Sequence, residues 1–565
     1  VVGVESGRAP AGAEALNDSQ NVRSGRFDAA DGTMIQLEDN AGVYGAATAW
    51  DAVQRGLSVA LIDRGDFGGG SSFNSLKTLH GGLRSLQALN FVQMRRFIRE
   101  RRAAARIVPH LVRPLPFIVP TSGGLTRGRL AMRVALAVND LVARDRHQGL
   151  TDPALHLPDG RVVARDEALT LNPLVAPGGV TGGAVWYDYQ MTNVDRVTFA
   201  FVQSAARAGA VVANHVEAGT FLVEAGRVAG ARCRDAGSDT PFDVRARVVV
   251  NAAGAWAPEL VRTLPGGAAA VPAPRLSRAM NLVLDLPIGS HACGGVVDGR
   301  FLFLVPWRDG SILGTSHDVH EGSPDRLTVS HADLEAFLRE GGTAFPRAGL
   351  DLARVRLVHR GLLPMVSGYG AQVTLLRESA VVDHAAHQAP GLISIHGVRY
   401  TTARHTAEKA VDVVFRALGH DRPPACRTAH TPLAGGDISD LATFVRGASA
   451  PGKGSLSAAT LGRLARTYGT GSVQVEAVAA EDPALSGTIG SRCEVTGAEI
   501  VHAARHEMAM TLGDAVIRRT EAGSAGHPGH DALRRAATLL AVEHGWTEAR
   551  VQDEVAMVEA FYGLP

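Results

Sequence analysis

A short glycine-containing turn, Asn40-Ala41-Gly42-Val43-Tyr44-Gly45, is the first segment whose residue types and spacing could do chemistry. Glycines at the start of a helix let a diphosphate approach the backbone N–H groups, and the helix dipole favours its negative charge. Gly42 is expected to allow this approach and Gly45 to allow close packing of the helix on a strand. Asp63 follows at the distance of the acid that accepts hydrogen bonds from a ribose. The pattern predicts a dinucleotide-binding unit.

The first position of this turn is an asparagine, and it follows two carboxylates, Glu38 and Asp39. Negative charges beside a diphosphate are unfavourable, but asparagine tolerates a positive φ better than most residues. We therefore expect the dinucleotide to bind despite Asn40.

Two other polar clusters have simple structural interpretations. His502 and His506 stand four residues apart with Glu507 beside them, which is metal-ligand spacing, but the sequence offers no third ligand nearby, so no metal is expected. A run of arginines forms either a solvated helix face or a surface for anionic lipid or a redox partner, and the sequence leaves both open. The run consists of Arg95, Arg96, Arg99, Arg101, Arg102 and Arg106.

The elements that must position these residues alternate between strands and helices at first, and helices dominate after residue 436. The patterns predict strands at 34–37, 57–62, 210–216, 220–223, 247–250, 301–306, 311–315 and 391–395. They predict helices at 46–55, 197–208 and 401–418, a helical region from 91 to 146 that three prolines interrupt, and a mixed, strand-rich region from 275 to 377. The first strand, turn, helix and strand form a βαβ nucleotide-binding unit.

The composition limits the class of protein. At 565 residues the chain is too long for one hydrophobic core. The 57 basic and 56 acidic residues leave no net charge that would attract a nucleic acid. Four scattered cysteines without a CxxC pair argue against a disulfide framework or a zinc site and favour a reducing cytoplasm. No apolar run is long enough to cross a membrane.

Several further segments carry specific motifs. They are Gly65-Asp66-Phe67, His80-Gly81-Gly82-Leu83-Arg84, Asn251-Ala252-Ala253-Gly254-Ala255-Trp256, Val305-Pro306-Trp307, Leu313-Gly314-Thr315 and Gly397-Val398-Arg399-Tyr400-Thr401-Thr402. Together they resemble the FAD-dependent glycerol-3-phosphate dehydrogenases, within the larger group of D-amino-acid-oxidase-like flavoproteins. The resemblance extends from about Ala41 to the C-terminus, where Glu507-Met508-Ala509 and Arg518-Arg519-Thr520 also match.

The resemblance implies an α/β fold: a FAD-binding Rossmann-like domain of the glutathione-reductase type, an interleaved antiparallel-sheet substrate domain and a C-terminal α-helical domain. We expect the FAD-binding parts at 34–95, 181–260 and 355–430, and the substrate-domain parts at 96–180 and 261–354. Residues 431–565 are expected to form the helical domain. Residues 1–33, which show little periodicity, are expected to be a poorly ordered tail.

The resemblance also implies which residues contact FAD. Ser71 and Ser72 match the residues that bind the diphosphate, and Ala253 and Gly254 match those near the ribityl chain. The segment along the flavin is matched by Lys77, His80, Gly81 and Leu83. The loop at the pyrimidine edge of the flavin is matched by Gly397, Val398, Thr401 and Thr402. A helix N-terminus at the pyrimidine edge would stabilise the negative charge of reduced flavin.

On the substrate side, Arg84 and Arg377, helped by Arg399, match positions around a phosphorylated substrate. A forked guanidinium suits phosphate because it donates two hydrogen bonds at once. Arg399 itself replaces a lysine of the family, which is a mild change.

Other substrate-side positions depart from the family. Asn281 replaces a pocket histidine, Leu363 replaces an arginine before a proline, and Ser85 replaces a tyrosine. An asparagine takes no proton from a hydroxyl at neutral pH, so another group must act as the base. The candidates are His396, His80 and His359.

The leading interpretation is oxidation of sn-glycerol 3-phosphate to dihydroxyacetone phosphate, with the electrons passed to a quinone or to oxygen. Two alternatives stay open. One is an enzyme of the same fold that acts on another hydroxy acid or amine, and the other is a flavin-binding paralogue without turnover. We expect a cytoplasmic homo-oligomer without a nucleic-acid partner, and peripheral contact with the inner membrane is left open.

Overall fold

The computed structural model describes residues 34–38, 42–124, 126–265, 274–366, 373–450 and 455–565, without the side chains of residues 35–38, 84 and 87. The predictions for residues 1–33, for Asn40 and for the side chain of Arg84 therefore lie outside the described part. The strands are β1 Met34–Glu38, β2 Val59–Asp63, β3 Thr78–Leu79, β4 Val112–Ser122, β5 Arg161–Ala164, β6 Val180–Met191, β7 Val211–Ala213, β8 Val216–Glu224, β9 Arg227–Asp235, β10 Pro241–Arg245, β11 Val248–Asn251, β12 Arg275–Leu284, β13 Ala292–Val297, β14 Arg300–Trp307, β15 Gly310–His320, β16 Val355–Met365, β17 Ala380–Asp383, β18 Leu392–His396, β19 Thr488–Gly490 and β20 Cys493–Thr496. The α-helices are α1 Val43–Gln54, α2 Phe91–Ile107, α3 Arg129–Val142, α4 Arg165–Leu171, α5 Val194–Arg207, α6 Ala257–Arg262, α7 His331–Ala344, α8 Ala403–Ala417, α9 Leu441–Ala448, α10 Ala458–Tyr468, α11 Ser472–Glu481, α12 Gly497–His506, α13 His530–His544 and α14 Glu548–Tyr562.

A six-stranded sheet in the order β17-β18-β11-β1-β2-β7 forms the first layer. All its strands except the antiparallel edge strand β17 run parallel. Helices α1, α5 and α8 bury one face in a core rich in alanine and valine, and the small antiparallel sheet β10-β9-β8 covers the other. The predicted βαβ unit is confirmed. The carboxyl ends of β1, β2, β11 and β18 meet at one edge, where nucleotides bind in such folds.

A second, mixed sheet follows the order β16-β12-β15-β14-β13-β4-β6-β3, with β5 paired to β6. Its strand β4 corrects the prediction of a helical region from 91 to 146, because residues 112–122 pair with β6 throughout. Pro114, Pro116 and Pro120 occupy alternate positions of β4. The N–H groups that they lack would therefore all have pointed to the same side of the strand. On that side β13 pairs only with Phe117 and Ile118.

Helices α9–α14 and the hairpin β19–β20 make up the C-terminal part, which has one apolar core of its own and shares a second with Phe73 and strands of the mixed sheet. None of the described helices is long and apolar enough to span a membrane. We retain the division of the chain into three parts as a proposal.

Candidate active site

Gly42, at the start of α1, and the end of β2 form a cradle at the carboxyl edge of the parallel sheet. Gly42 precedes α1 in an extended conformation, and the Val43 N–H donates to the Ser72 hydroxyl at 2.9 Å. A Cβ at Gly42 would lie 3.0 Å from that hydroxyl, so a side chain there would crowd the helix N-terminus. Asp63 is buried at the end of β2 and accepts from the Gly65 N–H at 2.8 Å. These groups fit a diphosphate and a ribose.

Two predicted cofactor residues instead direct their polar groups to the protein. The Ser71 hydroxyl donates to the Leu362 carbonyl at 2.8 Å and accepts from the Leu362 N–H at 3.0 Å. The ammonium of Lys77 donates to the Phe73 carbonyl and lies 4.5 Å from the centre of the Phe73 ring. Burial lowers the pKa of Lys77 to about 8. The diphosphate role therefore rests on Ser72 more than on Ser71.

The other predicted cofactor residues border the same edge. Gly45 is buried within α1, and Ala253 and Gly254 directly follow β11. Gly254 has a φ of +56°, which favours glycine. Leu83 begins a short helical turn, Leu83–Ala88, and packs against the apolar cluster that contains Leu136.

The two segments expected along the flavin meet in the structure. The His80 N–H donates to the Thr401 hydroxyl at 3.2 Å, which joins the segment after β3 to the start of α8. Gly81 sits so close to Arg101 and Asp188 that a Cβ would collide with both side chains. Residues widely separated in sequence thus share one surface beside the cradle.

His80 forms a pair with Asp188, a residue that the sequence analysis did not identify. The β3–β6 ladder pairs Leu79 with Tyr189, so His80 continues opposite Asp188. The Nδ1 atom of His80 lies 3.6 Å from an Asp188 oxygen, and the other oxygen accepts from the Gly81 N–H at 2.6 Å.

The carboxylate of this pair is held ionised. Burial alone would raise the pKa of Asp188, but the hydrogen bond from His80 and the charge of Arg101 hold it below its usual value. Arg101 also donates a short hydrogen bond to the same carboxylate. A carboxylate that orients one imidazole nitrogen leaves the other free to exchange a proton.

An aromatic wall adjoins the His80 side chain, which is 52% exposed. The ring centre of Phe117 lies 6.2 Å from that of His80, 5.3 Å from that of Trp186 and 5.5 Å from that of Phe303. The imidazole therefore has an apolar side and an open side, as a substrate-facing base requires.

Asn281 is a structural link and not an open pocket residue. The Thr315 hydroxyl donates to its side-chain oxygen at 2.7 Å, and its side-chain nitrogen donates to the Asn74 carbonyl at 3.3 Å. Its amide thus fastens the segment after Ser72 to the mixed sheet.

The other two candidate bases occupy different surroundings. His359 is fully buried with its ring centre 4.8 Å from that of Phe73, and burial holds its pKa well below the ordinary value. His396 ends β18 on the same side as Ser394, whose hydroxyl lies 2.8 Å from a ring nitrogen of His384. Burial also lowers the pKa of His396. The structure favours His80 over both.

Two of the three arginines that were predicted to bind the substrate phosphate, Arg377 and Arg399, lie together. Arg399 donates to the backbone carbonyl of Arg377, and its guanidinium lies 5.5 Å from the ring centre of Phe97. Glu378, which could have neutralised Arg377, pairs instead with Arg96 at 2.7 Å. The cleft around them is mainly basic. Its lining includes Arg96, Arg377, Arg399, His405 and Lys409, with Glu378 as its one acid.

Most arginines of the run on α2 form ion pairs or hydrogen bonds within the protein, which corrects the interpretation as a solvated helix face. Arg95 and Arg102 pair with Asp145, Arg96 pairs with Glu378, and Arg101 pairs with Asp188. Arg106 donates to backbone carbonyls. Arg99 alone of the six is exposed without a polar partner among the described residues.

Comparison with known proteins agrees with this geometry. Residues 41–438 match the family described as FAD dependent oxidoreductase. The chain belongs to this family. Residues 426–551 match the C-terminal domain of alpha-glycerophosphate oxidase.

Individual relatives of this flavoprotein cover nearly the whole chain. Glycerol-3-phosphate dehydrogenase 2 of Mycobacterium bovis is 31% identical over 91% of this chain and 86% of its own length. Glycerol-3-phosphate dehydrogenase of Synechocystis is 28% identical over 91% of this chain and 93% of its own length. The X-ray structure of glycerol-3-phosphate dehydrogenase from Bacillus halodurans with FAD has a TM-score of 0.74 at 22% identity and covers 96% of this chain and 97% of that one. The predicted fold class and the FAD cofactor are confirmed.

Tyr44 is a second residue of this flavoprotein that the sequence analysis missed. Its hydroxyl accepts from the N–H groups of Val398 at 3.0 Å and Arg399 at 2.9 Å and donates to the Arg399 carbonyl at 2.7 Å. A Cβ at Gly397 would collide with the Tyr44 ring. Tyr44 therefore ties the cradle helix to the segment at 397–402, and Thr402 also bonds the Arg399 carbonyl.

Tyr44→Phe is expected to lower the free energy of unfolding by about 1–3 kcal/mol, because it leaves the partly buried Arg399 N–H without its acceptor and the Val398 N–H with Ser379 alone. Urea unfolding and FAD titration of the variant would measure this. Tyr562→Phe, which removes a single hydrogen bond to the Gly523 carbonyl, serves as the matched control. Equal effects of the two substitutions would show that Tyr44 has no special role in joining the segments.

Proposed function

We propose that the protein oxidises sn-glycerol 3-phosphate to dihydroxyacetone phosphate with FAD as its cofactor. The observation that carries this proposal is the pair of His80 and Asp188 beside the segments that resemble flavin contacts. The names of the relatives, which are glycerol-3-phosphate dehydrogenases over most of the chain, support the choice of substrate.

The cofactor site uses the cradle and the adjoining edge of the sheet. Gly42 and Ser72 would hold the diphosphate and Asp63 the adenosine ribose, while residues 80–83 and 397–402 would lie along the flavin. Bound FAD supplies the acceptor for the hydride that leaves C2 of the substrate.

His80 acts as the base in this proposal. Its Nδ1 faces Asp188, so Nε2 takes the proton of the C2 hydroxyl as the hydride departs. Asp188 stays ionised and stabilises the imidazolium, in the same way that a buried carboxylate orients a catalytic histidine in other enzymes. The wall around Phe117 limits water on one side of the reacting atoms.

The phosphate of the substrate is bound by Arg377 and Arg399, with Arg84 as a third cation. Because Arg96 neutralises Glu378, the charge of Arg377 remains available to an anion. Two of the three cations lie on one basic cleft.

Replacing Arg377 with methionine is expected to raise KM for glycerol 3-phosphate about ten-fold or more, since a charge-assisted hydrogen bond contributes about 1.5–3 kcal/mol. Steady-state kinetics with a dye acceptor measure the effect. Oxidation of glycerol should barely change, and Arg446→Met, at an exposed position that bonds Thr443, should leave both substrates unaffected. Equal losses for both substrates with FAD still bound would remove Arg377 from the phosphate site.

A substrate panel tests the function itself. The purified holoenzyme is given glycerol 3-phosphate, glycerol, small hydroxy acids and amines, with a dye as the electron acceptor. We expect glycerol 3-phosphate to have the highest kcat/KM. A preference for an unphosphorylated hydroxy acid or amine would favour the alternative that Asn281 and Leu363 raise.

The electron acceptor is a quinone or molecular oxygen. Family membership supports both, because the relatives include dehydrogenases and an alpha-glycerophosphate oxidase from Streptococcus pyogenes. We also propose a homo-oligomer and a cytoplasmic location with peripheral membrane contact.

A further inference from the structure

Arg377, the predicted phosphate ligand, lies in a short strap, residues 376–379, that leads into β17. Each of the three other residues of the strap is fastened to a different element by a hydrogen bond or an ion pair. These contacts join Leu376 to Pro364 of β16, Glu378 to Arg96 of α2, and Ser379 to Tyr44 of α1. The backbone on both sides of Arg377 is therefore held in place before any ligand binds.

The backbone of Arg377 is bonded while its side chain is left open. Its carbonyl accepts from the side-chain amide of Gln93 at 2.9 Å and from the guanidinium of Arg399, so both lone pairs of this oxygen are used. The Arg377 guanidinium is exposed and has no hydrogen bond or ion pair with any residue in the described part of the chain. A fixed backbone that carries an open cation suits an anion ligand, because less conformational entropy is lost when the anion binds.

Gln93 is itself fixed at the start of α2. Its backbone N–H donates at 2.9 Å to the side chain of Asn90, the residue that caps the helix. Its side-chain oxygen accepts from the Ser85 hydroxyl at 3.1 Å. Because the oxygen end of the amide faces Ser85, the NH₂ end faces the Arg377 carbonyl. The orientation of the Gln93 side chain is therefore set by the protein and not by a ligand.

The same chain of hydrogen bonds reaches the segment that carries the proposed base. The Ser85 N–H donates to the Gly82 carbonyl at 2.8 Å, and Gly82 follows His80 by two residues. Gly82 has a φ of +80°, a conformation that favours glycine, so the turn at this point is well defined. Contacts from Gly82 through Ser85 and Gln93 to Arg377 thus join the base end of the site to its anion end.

We propose that Gln93 is a positioning residue that holds Arg377 at a fixed spacing from His80 and so contributes to the preference for a phosphorylated substrate. For the identity of that substrate, the inference rests on the proposed function. Gln93 borders the basic cleft, but both ends of its amide are already bonded, to Ser85 and to Arg377. It therefore acts on the phosphate through Arg377 and not by direct contact.

Steady-state kinetics of Gln93→Met with a dye acceptor test this role, because methionine keeps the length of the side chain but donates no hydrogen bond. We expect KM for glycerol 3-phosphate to rise about five-fold at nearly unchanged kcat, and KM for glycerol to stay as in the wild type. Ser85→Ala should raise KM by a smaller factor, since Gln93 keeps its bond to the Arg377 carbonyl. Gln552→Met, the same exchange at an exposed position of α14, is the matched control and should change neither constant.

A double-mutant cycle with Arg377→Met shows whether Gln93 acts through Arg377. Once Arg377 is methionine, we expect Gln93→Met to raise KM for glycerol 3-phosphate by less than about two-fold further, because the group that it positions is gone. A full second rise of about five-fold would overturn the proposal, since Gln93 would then act independently of Arg377. Equal rises of KM for glycerol 3-phosphate and glycerol would also overturn it, because general damage to the site affects both substrates.

Calorimetric titration of the oxidised holoenzyme with inorganic phosphate separates this proposal from the proposed function. We expect the wild type to bind phosphate, Gln93→Met to bind it about five-fold more weakly, and Arg377→Met to bind it about ten-fold more weakly or less. If the wild type binds no phosphate, or if Gln93→Met binds it equally well, the positioning role is overturned. If phosphate binding follows both residues but glycerol 3-phosphate does not reduce the flavin, the proposed function fails and the positioning role stands.

Discussion

Replacing His80 by glutamine is expected to lower kcat for glycerol 3-phosphate oxidation by about 10²–10⁴-fold, which is the usual contribution of a positioned general base. Glutamine keeps a polar side chain of similar reach but takes no proton at neutral pH. Stopped-flow reduction of the bound flavin would isolate the chemical step from later electron transfer. The flavin spectrum of the variant should remain that of the wild type, because His80 contacts Thr401 only through its backbone.

Companion variants distinguish catalysis from a general loss of structure. Asp188→Asn should slow the same step by a smaller factor, since the imidazole is kept but its carboxylate partner is lost. It should also lower the free energy of unfolding, because buried Arg101 loses its counter-charge. His331→Gln, at a side chain that is 60% exposed on α7, should change nothing. If His80→Gln keeps full activity, the base lies elsewhere, and His396 and His359 return as candidates.

Asp66→Asn is expected to destabilise the protein by about 3–5 kcal/mol, because it leaves buried guanidiniums without their counter-charge. Asp66 accepts from Arg519 at 2.6 and 2.7 Å and from Arg518 at 2.6 Å. The Asp66 and Arg519 side chains are both fully buried. Together these residues clamp the Gly-Asp-Phe segment of the flavin-binding part to the C-terminal helices.

Denaturant unfolding and limited proteolysis would measure how strongly this buried cluster holds the C-terminal helices in place. The C-terminal helices should become sensitive to protease at lower urea concentrations in Asp66→Asn than in the wild type. Asp243→Asn removes a similar charge from an exposed pair with Arg232 and should cost less than about 1 kcal/mol. If both variants have the same unfolding midpoint, the buried cluster does not hold the two parts together.

A metal is not needed to account for this cluster. Asp66, His215 and Asp514 lie close enough together to hold an ion. However, Arg518 and Arg519 already neutralise the carboxylates, and His215 lies 2.8 Å from an Asp514 oxygen. Burial alone would lower the pKa of His215, but the charge of Asp514 raises it above its ordinary value.

Local patterns predicted the cradle well, because its parts are short and follow one another in the chain. The strand at 34–38, Gly42 before α1 and Asp63 needed only periodicity and glycine placement. Asp188 was missed because a single carboxylate in an apolar strand carries no local signal until its neighbour His80 is known. Its position depends on the antiparallel pairing of β3 with β6, which no local pattern specifies.

Long-range pairing also explains the errors at β4 and in the arginine run, whereas helix α7 was missed despite a local signal. Strand β4 has prolines that resemble helix breaks, and only the pairing with β6 makes them compatible with a sheet. Helix α7 lies in a region whose strands dominate the pattern, although Ser330 and Asp333 form a capping box at its start. The arginines of α2 resembled a solvated face because their partners, among them Asp145 and Glu378, are distant in sequence.

Reduction of the flavin by glycerol 3-phosphate in the absence of oxygen tests the central claim most directly. The holoenzyme is mixed with the substrate under argon, and the visible absorbance of the oxidised flavin is followed. We expect rapid and complete bleaching, a much slower change in His80→Gln, and return of the colour when a quinone or oxygen is admitted. A wild-type spectrum that stays unchanged with glycerol 3-phosphate, while another hydroxy acid or an amine bleaches it, would contradict the assignment.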